Sequence, residues 1–152
     1  MEIKDSYELP LSKERVWAAL NDEEFLKKSI PWCEKLERRS DTELEAAVKL
    51  KLGPMSTRFT GSITLSDIDP PNGYTITGSG KGGIAGAASG SAKVKLVEDK
   101  GTSSTTLSYE VSAQVKGKIA QLGSRLIQST AKKLSKNFFG SFVKQLEDMD
   151  KP

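Results

Sequence analysis

The stretch GSGKGGIAGAASGSAKVKLV, Gly78 to Val97, decides between two incompatible folds. It contains Gly78-x-Gly80-x-x-Gly83 with Lys81 inside, the spelling of a dinucleotide-binding turn. That turn needs a strand before it, a helix opening at the glycines and an acidic residue about 20 positions on. Here Gly83 is followed by small residues and then by Val94 and Leu96 alternating with Lys93 and Lys95. A β-alternation leaves no helix N-terminus for a pyrophosphate. A nucleoside-triphosphate loop fails as well, because Lys81 is followed by Gly82 rather than Ser or Thr. The glycines therefore read as parts of strands, and the reason for their small size lies elsewhere.

Working outward, the same period of two recurs. Ile3, Asp5, Tyr7 and Leu9 alternate with Glu2, Lys4, Ser6 and Glu8. Residues 44–52, 55–65, 74–80 and 107–115 repeat the pattern, separated by Gly53-Pro54, by Asp69-Pro70-Pro71-Asn72-Gly73 and by the turn at 98–104. Between the first strand and the rest, Ser12 caps a helix carrying Val16, Trp17 and Leu20. A second short helix runs from Asp22 and stops before Pro31. Residues from about 117 to 149 read as one long helix. Strands with one wet face and a single long helix to cover the other predict an α+β fold, a curved antiparallel sheet gripping a C-terminal helix. No repeat or linker divides the chain, so one domain is expected over 1–152.

The covered face is unusually lean. Gly78, Gly80, Ala88, Ala92 and Ala113 fall on or extend the inward-facing sets. At about 100° per residue, Ala120, Gly123, Ile127, Ala131, Leu134, Phe138 and Phe142 share one helix face, small residues first and aromatics last. Either the backbones approach one another, or space remains. Empty space costs about 24 cal/mol per Å³, so space that persists generally serves a ligand. No polar cluster converges there, so the ligand is expected to be an apolar small molecule. Phe59 faces inward, and Ile84, Ile119, Leu122 and Leu126 complete the expected lining.

Composition narrows the chemistry. The chain has 152 residues, 36% hydrophobic and 28% charged, which suits an ordinary globular domain. It has no histidine and a single cysteine, Cys33. That removes Ser-His-Asp and Cys-His nucleophiles, the usual zinc sites and any intramolecular disulfide. No catalytic residue and no metal ligand is assigned. Asp5 and Tyr7 are the one inward acid-phenol pair, and Cys33 reads as a small half-buried residue. There is neither a membrane-length apolar run nor a signal-peptide pattern, and a cytoplasmic protein is expected.

The net charge of +3 hides a concentration. From Lys116 to Lys136 there are six basic residues and no acidic one. Lys118, Arg125, Lys132 and Lys136 would share the helix face opposite the core. A solvated helix back is one reading. The other is a surface for weak contact with an anionic membrane or an acidic protein patch, each basic residue adding about 1 kcal/mol at an anionic bilayer. Nucleic acid is not expected, because interleaved aromatics and a recognised motif are missing.

The segments ERVWAALND, IPWCEKLE, KLGPMSTRFTGSITLSDIDPP, YTITGSGKGGIAGAASGSAKVKL, LSYEVSAQVKGKIAQLGSRLI and AKKLSKNFFGSF, in this order, resemble the carbon monoxide dehydrogenase G-subunit (CoxG) family of the START-like helix-grip superfamily. The resemblance spans nearly the whole chain. It implies a cavity-bearing module holding a menaquinone- or ubiquinone-like lipophile, with no covalently bound cofactor. It also implies an accessory role, not a catalytic one, in the membrane association and quinone coupling of a molybdenum CO dehydrogenase or related hydroxylase. The protein would then be peripheral on the inner face of the cell membrane. Where the family usually has glycine, this chain has Trp32, expected to cap the cavity mouth. Two alternatives stand beside this reading: a small cyclase- or hydratase-like cavity enzyme, and a structural adaptor acting through its basic helix.

Overall fold

The computed structural model describes residues 1–149. The last three positions of the expected 1–152 unit lie outside the described residues. Strand β1 (Glu2–Leu9) is followed by α1 (Lys13–Leu20) and α2 (Glu23–Ser29). Six strands come next: β2 (Cys33–Arg38), β3 (Glu43–Leu52), β4 (Met55–Asp69), β5 (Gly73–Lys81), β6 (Ala87–Asp99) and β7 (Ser104–Lys116). Helix α3 (Ser124–Met149) closes the described chain. All seven strands form one antiparallel sheet in the order β1-β7-β6-β5-β4-β3-β2. The α+β, helix-grip expectation is met, with the sheet curling around α3.

Local chemistry sets the boundaries. Ser12 Oγ accepts from the Arg15 amide, and Asp22 Oδ1 accepts from the amides of Glu24 and Phe25, so both short helices start on side-chain caps. Ile30 is extended, as a residue before proline prefers, and ends α2. The sequence reading missed β2. Four of its six residues are charged, and a bulge between Cys33 and Lys35 shifts the register, so Cys33 and Leu36 break the even spacing by which a strand is recognised.

The long helix begins later than its periodicity suggests. Residues Lys118–Leu122 form a separate 3₁₀ turn, and Gly123 follows at φ +91°, a left-handed conformation that a continuing helix cannot adopt. Helical phase read across Gly123 is therefore meaningless, which misplaced Ala120, Gly123 and Lys118.

The core has two parts. At the α1–α2 end, Phe142 and Val16 are fully buried, with Leu9, Leu107 and Leu146 almost so, and Phe142 meets Phe25 edge-on at 5.1 Å. Burying a side chain of this size stabilises by about 3 kcal/mol. Gln145 ties α3 to α2 by donating to Ser29 Oγ. At the other end Leu52, Phe59, Ala85 and Ile119 form a smaller cluster. What lies between them is mostly not side chain.

Candidate functional site

Pairing across the sheet shows why the inner face is lean. One cross-strand row runs Ala46–Gly61–Gly80–Ala88–Val115, and the next runs Leu44–Ile63–Gly78–Gly90–Ala113. Small residues relieve crowding on the concave side of a curled sheet. The glycines are not equivalent. A Cβ on Gly61 would lie 2.0 Å from the Ser79 carbonyl oxygen, so close strand approach demands glycine there. A Cβ on Gly78 or Gly80 would meet nothing nearer than 3.5 Å and 3.6 Å, respectively, so those two positions have room to spare. Gly78 and Gly80 lie on β5, and Gly83 opens a three-residue 3₁₀ turn leading into β6, so no helix N-terminus stands at these glycines.

The spare room is an apolar cavity of about 360 Å³ between this part of the sheet and the first half of α3. Ile127, Thr130, Ala131 and Leu134 line it from the helix, at the i, i+3, i+4, i+7 spacing of one face. A second cavity of about 280 Å³ lies toward the α1–α2 end, under Phe138 and Phe139 and against Leu20, Leu26 and Ile30. Ile63 lines both. A larger hollow, about 570 Å³, lies among Lys35, Arg58, Lys81 and Lys116. Glu45, Thr60, Gln114 and three serines share its wall with small residues, and its charged rim does not suit an apolar ligand.

Of the expected lining, Phe59, Gly78, Gly80, Ala88, Ile119 and Ile127 surround the first cavity, and Ala92 borders the second. The rest lie elsewhere. Ala113 sits against Gly90, Leu122 packs on the Phe59 cluster, and Leu126 covers the β3–β4 turn at Gly53. Ala120 and Gly123 are exposed because the helix has not yet begun. Ile84 is 86% exposed at the tip of the β5–β6 connection, not inside. Trp32 is 51% exposed and lines neither cavity, so it does not cap a mouth. Its φ of +55° supplies the physical reason for a glycine at this position, since the left-handed region favours glycine.

Sequence reasoning missed Leu36, Arg38, Tyr74 and Tyr109 as cavity residues. Arg38 and Leu36 went unseen with β2. Tyr74 and Tyr109 carried a usable signal, an inward phase on their strands. Arg38 is held by Glu23 at 3.2 Å and by the carbonyls of Asp41 and Asn21. Burial pushes the Tyr74 phenol up to about 12, against a smaller opposing effect of the Arg38 charge. Burial also raises Tyr109, whose hydroxyl shares a 2.6 Å hydrogen bond with Ser135. Both phenols are therefore protonated at neutral pH.

The reactive candidates are inert in this setting. The Cys33 thiol is raised by burial and donates to the Lys35 carbonyl oxygen at 3.3 Å. The acid-phenol pair does not form: Asp5 is exposed and accepts from the Ser6 amide, while Tyr7 stacks on Phe139 at 4.3 Å. No Asp or Glu lines either apolar cavity. Among the described residues no cluster of acidic or cysteine side chains could hold a metal ion. Nor is any described helix long and apolar enough to cross a membrane. The basic surface is split: Arg125, Lys132 and Lys136 are exposed on α3, while Lys118 belongs to the preceding turn.

A curled antiparallel sheet closed on a long helix, with a largely apolar interior whose walls carry no carboxylate, defines a START-like helix-grip fold. The chain belongs to the carbon monoxide dehydrogenase G-subunit (CoxG) family, which it matches over residues 6–147. It is similar to a conserved protein from Geobacillus kaustophilus, with 29% identity, coverage of 97% of this chain and 96% of that one, and a TM-score of 0.91. It shares its fold with a START superfamily protein from Mycobacterium smegmatis, at 13% identity, 97% and 98% coverage and a TM-score of 0.72. The Zhui aromatase/cyclase from Streptomyces sp. R1128 has the same fold, at 13% identity, 97% and 93% coverage and a TM-score of 0.69. No curated protein matches the sequence.

Proposed function

We propose that the protein is a non-enzymatic accessory subunit that holds a quinone-like lipophile between α3 and the sheet. It would assist membrane association and quinone coupling of a molybdenum CO dehydrogenase or a related hydroxylase. The observation that carries this reading is the pair of adjoining apolar cavities without a carboxylate on their walls. A cyclase or hydratase pairs an acid with a base beside its substrate. Here the Arg38 guanidinium is already paired with Glu23, and the Tyr74 and Tyr109 phenols hold their protons at neutral pH, so the walls offer donors but no base. Family membership supports the accessory role.

Membrane contact has its own support. Gly86 and Gly117 pack backbone against backbone, which sets the exposed Ile84 beside the turn bearing Lys118. An exposed apolar tip flanked by cations suits weak docking on an anionic bilayer. The test is solvent extraction of the purified protein, with mass and ultraviolet detection of a quinone, followed by titration of the emptied protein with decylubiquinone. Co-purified quinone and saturable binding are expected; no saturable binding overturns the proposal. Vesicle flotation of a variant carrying Ile84→Glu and Lys118→Glu checks the docking surface separately. Loss of flotation with unchanged ligand affinity is expected.

A further inference from the structure

Tyr74 is 7% exposed and forms part of the second cavity's wall, yet its hydroxyl makes no hydrogen bond to any described residue. Every fully occluded side-chain oxygen or nitrogen among the described residues has a partner, so this unbonded hydroxyl is not fully occluded and is open to a partner from outside the chain. Trp17 packs edge-on against the Tyr74 ring, centroids 5.1 Å apart, and limits where it can turn. Arg38 lines the same cavity, close enough for its charge to act on the phenol. Three of its five N–H groups are taken by Glu23, Asp41 and Asn21. The other hydroxyls on this wall, Tyr109 and Ser135, bond to each other.

We infer that Tyr74 is the polar anchor of the cavity, donating its hydroxyl hydrogen to a neutral acceptor oxygen (a ketone, quinone carbonyl or ether) on an otherwise apolar ligand. This rests on the reading of the cavity as a ligand site. A buried phenol with a raised pKa is a donor across the physiological range. A neutral oxygen fits better than a carboxylate, because the Arg38 charge is already balanced by Glu23 and the remaining lining is apolar. Size is adequate: an apolar cavity of about 150 Å³ accepts benzene, so about 280 Å³ admits a fused bicyclic ring.

Three probes of one skeleton test the anchor: 2-ethylnaphthalene, 2-acetylnaphthalene and 2-naphthoate, titrated calorimetrically into wild type and Tyr74→Phe. A single hydrogen bond contributes about 0.5–1.5 kcal/mol, or about 3–10-fold in affinity. Tyr74→Phe is expected to weaken the ketone by that factor and leave the hydrocarbon unchanged. The carboxylate 2-naphthoate should bind wild type more weakly than the ketone. If the hydrocarbon itself fails to bind wild type, the cavity reading falls and the anchor with it. If the hydrocarbon binds but Tyr74→Phe leaves the ketone-to-hydrocarbon ratio untouched, the anchor alone is refuted.

Discussion

Ala131→Leu asks directly whether the space under α3 is real. Ala131 lines the larger cavity beside Ile127 and Leu134, with about 360 Å³ in front of it. Leucine adds three carbons, each contributing about 0.8 kcal/mol when buried, or about 2.4 kcal/mol together. Lost side-chain freedom takes back about 0.5–1 kcal/mol, and the two residues have similar helix propensity. A net gain of about 1.5 kcal/mol follows. For a chain of this length about 1 kcal/mol moves Tm by 2–4 °C, so a rise of about 3–6 °C is expected. Urea and thermal unfolding measure it, with decylubiquinone titration of the same sample. Its affinity should fall about tenfold as the added carbons occupy ligand space. A loss of 1 kcal/mol or more would refute the reasoning, since that is the signature of overpacking where the backbones have already closed.

The inner glycines give a paired prediction: Gly80→Ala should fold normally, whereas Gly61→Ala should lower stability by more than 1 kcal/mol in urea unfolding, because its Cβ would strike the Ser79 carbonyl. Trp32→Gly should stabilise by about 0.5–1 kcal/mol, the relief of a left-handed tryptophan less the greater freedom of unfolded glycine. It should leave ligand affinity alone; a fall in affinity would put Trp32 back at the cavity. In alkaline solution Tyr74 keeps its proton up to about pH 12 in the native state, while the unfolded chain releases it near 10. The native state then binds more protons, so stability is intact below about pH 10 and falls by about 2–3 kcal/mol as pH rises through 12. In Tyr74→Phe that part of the alkaline loss should disappear from denaturation curves measured between pH 9 and 12.

The sequence by itself determined what a repeating pattern can carry. Period-two alternation located six of the seven strands, Ser12 and Asp22 marked the short helices, and the helical period of Ile127, Ala131, Leu134, Phe138 and Phe142 identified the face of α3 that turns inward. It also showed that Gly78 to Val97 belongs to two strands and their connection rather than to a phosphate loop. Tertiary structure decided whatever depends on phase across a break or on neighbours far along the chain. The bulge in β2 hid Leu36 and Arg38, and the positive φ at Gly123 detached Lys118, Ala120 and Gly123 from the helix face they seemed to share. Smallness alone could not separate Gly61, small because another strand's carbonyl presses on it, from Gly80, where a side chain would fit. Distance to a partner strand separates them, and distance is a property of the folded sheet. Tyr74 is the same case: its inward phase was legible, but its unpaired hydroxyl at the wall of a cavity existed only once α1, β2 and α3 had closed around it.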